Sequence, residues 1–209
     1  MSSGFFTVTE QIENTIIIER SKFICNIKSV VDEDDAKSFI ESVRKKHSLA
    51  NHNCYAYIAD DKGLVQKFSD DGEPQGTAGL PMLDVLKNKK IFKTVAVVTR
   101  YFGGIKLGTG GLVRAYGGSV VDCLQKASLV NMQQAVFMQI TVDYELYSKL
   151  LKMLSQPSVC VINTDFANNI IVNFAVKNEC YKNFVDNLTD LFNGKVKAIV
   201  DKIDYCAFR

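Results

Sequence analysis

The chain has no tryptophan, three prolines and two histidines, His47 and His52, in 209 residues. Two histidines, with six scattered cysteines and no CxxC pair, disfavour a zinc site of ordinary ligand spacing, so no metal is expected. Cys25, Cys54, Cys123, Cys160, Cys180 and Cys206 sit mostly inside apolar segments. They read as buried free thiols of a reducing compartment rather than a disulfide framework. No apolar run approaches the roughly 18 residues that cross a bilayer, and the start lacks the basic-then-apolar layout of a secretion signal. A cytoplasmic protein without a membrane partner is expected. One kind of charge is also missing locally: from Val85 to Val121 there is no acidic residue, whereas Lys87, Lys89, Lys90, Lys93, Arg100, Lys106 and Arg114 are basic. A local positive field of that kind favours phosphate or another acidic partner, although lysines at a helix end are also simply solvated.

What is present is ordinary for a globular chain, with 47% hydrophobic and 23% charged residues and a net charge of +2. The length suits one large domain or two small ones. Thr15 to Glu19 and Lys22 to Val30 read as strands joined at Arg20-Ser21. Asp32 to Asp35 then opens an amphipathic helix through Ala36, Phe39, Ile40 and Val43 that closes on Arg44-Lys45-Lys46, a charge order suited to the helix dipole. Strands follow at Asn53 to Ala59 and Leu64 to Phe68, a helix at Met82 to Lys89, a central strand at Val95 to Arg100 and a helix from about Gly110 to Ala127. Asn131 to Gln134 is the expected linker, dividing the chain into domains 1–132 and 133–209. The second half reads strand, helix, strand, strand, helix, strand, which is the order of a ferredoxin-like sandwich. With eight basic and eight acidic residues after Gln134 it is neutral. It carries no chemical motif.

The apolar run before Arg100, the loop with Gly103, Gly104, Gly108, Gly110 and Gly111, and the helix behind it form the order that presents anions to backbone amides. Neither standard nucleotide loop fits: Thr109 stands where a Walker loop needs lysine, and Val113 where the dinucleotide fingerprint needs its last glycine. There remains a nest of amides at Gly108, Thr109, Gly110 and Gly111, with Lys106 ahead and Arg114 one turn inside, as a receptor for phosphate or another oxyanion. The alternative is that the glycines only form two tight turns.

A second loop carries Asp70, Asp71, Glu73 and Thr77. Its carboxylates suit a metal or acid-base role, a plain Asp-Gly turn, or pairing with Arg100 and Arg114 to lock the two loops together. Strand alternation puts His52 and Cys54 on one face, which admits a Cys/His nucleophile or, more simply, a core thiol beside a hydrogen-bonding histidine. Tyr101-Phe102 either stack on bases or close the core beneath the loop.

Four stretches together resemble the Impact family in its bacterial YigZ-type branch: Ser21-Lys22-Phe23-Ile24, His52 to Tyr57, Ser69 to Pro74 with Gly76 to Gly79, and Val98 to Gly108 with Gly110 to Tyr116. The resemblance implies an α+β chain whose first domain is similar to domain 2 of ribosomal protein S5 and whose second is similar to the C-terminal domain of elongation factor G. Both relatives work on the ribosome. Eukaryotic members restrain a starvation-responsive kinase with the help of a separate N-terminal partner-binding domain, and that role is not expected here. The resemblance supplies no catalytic residue and no cofactor. The leading expectation is a non-enzymatic protein that binds RNA or the ribosome through the basic glycine-loop face. The alternatives are an enzyme or sensor for a phosphorylated small molecule or nucleotide at the same loop, and a protein-interaction adaptor.

Overall fold

The computed structural model of the chain describes residues 4–208. Two units separate, Phe5–Val130 and the segment from Asn131 onward. In the first, a short strand β1 (Phe5–Val8) precedes β2 (Ile12–Ile18), β3 (Ser21–Ser29), β4 (His52–Ile58), β5 (Gln66–Ser69) and β6 (Thr94–Tyr101). Local periodicity does not announce β1; it pairs with β7 (Leu129–Val142), and Phe6 also exchanges backbone hydrogen bonds with Lys90 and Phe92, far away in the chain. The other five form one antiparallel sheet in the order β2-β3-β6-β4-β5. β6 is therefore the central strand, as its apolar run predicts, and Thr94 through Arg100 are all buried. Glu19 and Arg20, both at positive φ, form the tight turn between β2 and β3.

Helices cover both faces of this sheet. α1 (Glu33–Lys46) is capped by Asp32, whose carboxylate accepts the Asp35 amide at 2.8 Å. It buries Ala36, Phe39, Ile40 and Val43 against Tyr57, Val95 and Val97. α2 (Gly79–Asn88) and α3 (Gly108–Lys126) cover the other face, where Phe23, Cys25, Ile27, Cys54, Ala56, Ala96 and Val98 meet Met82, Leu86, Leu112, Tyr116 and Val120. Strand parity fixes the direction of Arg100. It lies two residues beyond Val98, so its side chain points into that same apolar layer and needs an internal counter-charge.

The second unit runs β7 (Leu129–Val142), α4 (Tyr144–Leu154), β8 (Val159–Phe166), β9 (Ile170–Lys177), α5 (Tyr181–Leu191) and β10 (Ala198–Ala207). These strands pair antiparallel in the order β10-β7-β9-β8. Val136, Met138 and Ile140 of β7 and Val172, Phe174 and Val176 of β9 pack with Leu150, Met153, Phe184 and Leu188, so both helices cover one face. Asn193 and Gly194, at positive φ, stop α5 as their sequence suggests. The expected linker at Asn131 to Gln134 is instead part of β7. Ala207, Cys206 and Tyr205 pair with Met132, Gln133 and Gln134, and a partner strand distant in sequence turns a polar stretch into a strand.

Candidate anion site and the network behind it

β6 ends at Tyr101, and six residues lead to α3. Four of the five glycines from Gly103 to Gly111 have a structural reason. Gly104 and Gly108 adopt φ of +87° and +68° with open space around the missing Cβ. Gly103 packs directly on the backbone of Arg20 and Ser21, and a Cβ there would collide with it. A Cβ on Gly111 would come within 2.9 Å of Leu107. No side chain caps α3, because Leu107 occupies the N-cap position. The first amides of a helix have no partner inside it, so this end carries unopposed N–H groups and the positive pole of the dipole.

Gly104, Lys106, Gly108, Thr109, Gly110 and Arg114 are exposed around that end, with Gly103 and Gly111 half-buried. Neither Lys106 nor Arg114 forms an ion pair among the described residues. A groove of about 490 Å³ opens beside them between Ile18, Glu19, Ile105, Leu107 and the start of α3. One carboxylate, that of Glu19, lies on its wall.

Arg100 does not join this group. Its side chain is 6% exposed, and Nη1 donates to Glu73 Oε1 at 2.7 Å. Nη2 reaches Ser21 Oγ at 3.4 Å, and the guanidinium lies over the rings of Phe23 and Phe102, 5.4 Å from each centroid. Glu73 Oε1 also accepts the Tyr116 hydroxyl at 2.7 Å, while His52 Nε2 stands 3.9 Å away. Burial pushes the Tyr116 phenol far above its ordinary range, with the neighbouring Cys54 and Glu73 acting in the same direction. The charge of Arg100 therefore serves the interior, a correction to its expected place among the anion contacts.

The remaining acidic residues are likewise engaged by the chain. Asp70 accepts the amides of Gly76, Ala78 and Gly79 at 2.8, 3.0 and 2.8 Å, and so caps α2 from the preceding loop. Asp71 takes the Asn53 amide at 2.6 Å and Arg44 at 3.2 Å. Thr77, buried, donates its hydroxyl to the Pro74 carbonyl at 2.6 Å. Of the readings open for this loop, the pairing that locks two loops holds for Glu73 with Arg100. It does not hold for Arg114, and Asp71 uses Arg44 instead. No cluster of metal-ligating side chains occurs among the described residues.

His52 and Cys54 also answer to this loop. His52 Nδ1 lies 2.8 Å from the Asp71 carbonyl, which can only accept, so the imidazole proton sits on Nδ1. The Cys54 thiol donates to the Asp70 carbonyl at 2.9 Å, and burial raises its pKa far above the ordinary thiol range. Burial and this hydrogen bond both favour the protonated thiol, which fits the core-thiol reading over the nucleophile. Sequence reasoning missed Ser21, Arg44 and the Tyr116 hydroxyl as members of the network. The signal available for Tyr116 was a phenol on an otherwise aliphatic helix face, which must find a hydrogen-bond partner when buried.

Residues 19–124 match the family model for the Impact N-terminal domain, and residues 140–195 match a domain of unknown function, DUF1949. The chain is 42% identical over 195 residues to the IMPACT family member YvyE of Bacillus subtilis, covering 93% of this chain and 90% of that protein. It is 35% identical to the IMPACT family member YigZ of Escherichia coli, covering 87% and 90%. With Protein IMPACT-A of Xenopus tropicalis it shares 34% identity over 99 residues, 45% of this chain and 30% of that one. A crystal structure of a hypothetical protein, 32% identical, superposes with a TM-score of 0.61 over 97% of this chain and 98% of the other. The motifs that cluster around Glu73 and the start of α3 thus lie within the matched N-terminal domain, and the chain belongs to the Impact family.

Proposed function

We propose that this protein is a binding protein rather than an enzyme, and that it engages RNA or the ribosome through the glycine-loop face of its first unit. The observation that carries the reading is the uncapped start of α3, with Lys106 and Arg114 exposed and unpaired beside it. Backbone amides, a dipole equivalent to roughly half a positive charge and two mobile cations suit a phosphodiester backbone. Lys87, Lys89 and Lys90 share the acid-free window from Val85 to Val121 but stand at the end of α2 ahead of Thr94, the opposite end of β6 from the glycine loop, so within that window Lys106 and Arg114 alone supply the cations of this face. The same proposal extends to the fold: a first unit similar to domain 2 of ribosomal protein S5, and a ferredoxin-like second unit similar to the C-terminal domain of elongation factor G. The β10-β7-β9-β8 order with both helices on one face supports the latter.

The test is fluorescence anisotropy with labelled RNA at several salt concentrations. Micromolar binding that weakens linearly in log salt is expected, and K106Q/R114Q should lower the magnitude of the slope by about 2, roughly 1 for each lost phosphate contact. Absence of binding by the native chain at low salt refutes the reading. One observation favours a second: the groove of about 490 Å³ pairs the cations with an aliphatic wall of Ile18, Ile105 and Leu107. That combination suits a phosphorylated small molecule or nucleotide. Heat stabilisation by nucleotides or sugar phosphates with magnesium supports it, and a flat panel removes it.

A further inference from the structure

We infer that the RNA taken by this face is single-stranded, and that Phe102 is the platform on which one of its unpaired bases stacks. The inference rests on the anion-binding reading above and adds to it a class of RNA and a contact that reads bases. Phe102 follows the end of β6, two residues after Arg100, and the residue remains 46% exposed. One face is accounted for, since the Arg100 guanidinium lies over the ring at 5.4 Å from its centroid and also over Phe23 at 5.4 Å. Phe102 thus rests on a cation that the buried Glu73–Arg100 pair holds in place, while nearly half of the residue stays open to solvent. The backbone is clamped as well. The Phe102 amide donates to Asn51 Oδ1 at 2.8 Å, and the Asn51 amide donates to the Arg100 carbonyl at 3.0 Å.

An aromatic ring held in this way loses little freedom when a flat partner settles on it, because its supports are in place beforehand. Every base has a π-face, so such a ring is a sequence-tolerant platform. Lys106 follows four residues later, and the chain sets the two Cα atoms at most about 14 Å apart. A strand of two or three nucleotides can therefore place one base on Phe102 and a phosphate at the start of α3. A duplex cannot do both, because its bases are paired and stacked inside. Between Phe102 and Arg114 the chain carries no acidic residue, and the one carboxylate on the groove wall, Glu19, is outnumbered by Lys106 and Arg114.

The experiment compares a short labelled RNA, alone and annealed to its complement, against the native chain, F102L, F102W and K106Q/R114Q, each first checked by circular dichroism. F102L keeps an apolar cover over Arg100 but has no ring. It should weaken single-strand binding between about fivefold and about a hundredfold, the worth of one stacked base, while leaving duplex binding and the salt slope unchanged. The chain contains no tryptophan, so the indole of F102W is a sole reporter, and its emission should be quenched by the single strand. Equal affinity of F102L and the native chain for the single strand overturns the stacking. Unchanged F102W emission at saturation does the same and stands as the second readout if F102L fails to fold. If K106Q/R114Q alone loses affinity, the anion reading survives without the base platform. If the native chain binds neither RNA at low salt, both fail together.

Discussion

Replacing Glu73 by glutamine is the sharpest test of the internal network. The side chains of Glu73 and Arg100 are 4% and 6% exposed, so the pair belongs with buried ion pairs rather than surface ones. Glutamine keeps the size and one oxygen for the Tyr116 hydroxyl, but leaves the Arg100 guanidinium charged against the rings of Phe23 and Phe102 with no counter-ion. Removing one member of such a pair costs about 3–5 kcal/mol. At roughly 4 °C per kcal/mol for a unit of this size, the melting temperature should fall by about 12–20 °C. The R100M variant should also destabilise, by leaving the carboxylate alone. The double variant E73Q/R100M should be more stable than the sum of the two losses allows, with a coupling of about 1–3 kcal/mol, because no uncompensated charge remains. Urea titrations followed by circular dichroism measure all four proteins. A loss under about 1 kcal/mol for E73Q, or strictly additive losses in the double variant, would refute the claim that the two charges depend on each other.

Three further outcomes are expected. D70N keeps an acceptor for Ala78 and Gly79 but sets an NH2 group against the Gly76 amide, so it should lose about 1.5–3 kcal/mol in the same titrations; a change under about 0.5 kcal/mol would show that the cap on α2 is unimportant. Desolvation first, then the charge of Lys46, holds the His47 imidazole below its ordinary value against an opposing pull from Glu13. The folded chain thus binds fewer protons than the unfolded chain in that range. This contribution to stability is complete above about pH 6.5 and is lost as pH falls through the lower folded value. H47Q should flatten that acid-side decline in urea midpoints, and an unaltered pH profile contradicts the assignment. Iodoacetamide on the folded protein near pH 8 should modify Cys160 and Cys180 ahead of Cys25 and Cys54, whose thiols burial raises far above the ordinary range. Early labelling of Cys54 in a peptide map would revive the nucleophile.

Much of the architecture was legible because it is written in local periodicity. The 3-4 spacing of Ala36, Phe39, Ile40 and Val43 announces α1, the apolar run before Arg100 announces the central strand, and the strand and helix order after Gln134 announces the second unit. What escaped depends on partners far away in the chain. β1 is a strand because it pairs with β7, and Asn131 to Gln134 is strand because β10 returns beside it. The candidate site divides in the same way. Its glycines, Lys106 and Arg114 can be picked out from spacing alone, since a helix start rich in glycine exposes amides whatever it packs on.

The direction in which a charge points is another matter. Lys106, Arg100 and Arg114 are equally basic as letters, and a count of positive charge in the window treats them alike. Parity along β6, fixed by pairing with β3 and β4, turns Arg100 into the layer beneath α2 and α3, where it meets a carboxylate from a loop 27 residues earlier. Lys106 and Arg114 lie beyond the strand and stay in water. The sequence by itself determined which residues carry charge and where a helix begins. Only the tertiary structure decided which charges face each other, because burial makes an unpaired ion too costly and water does not.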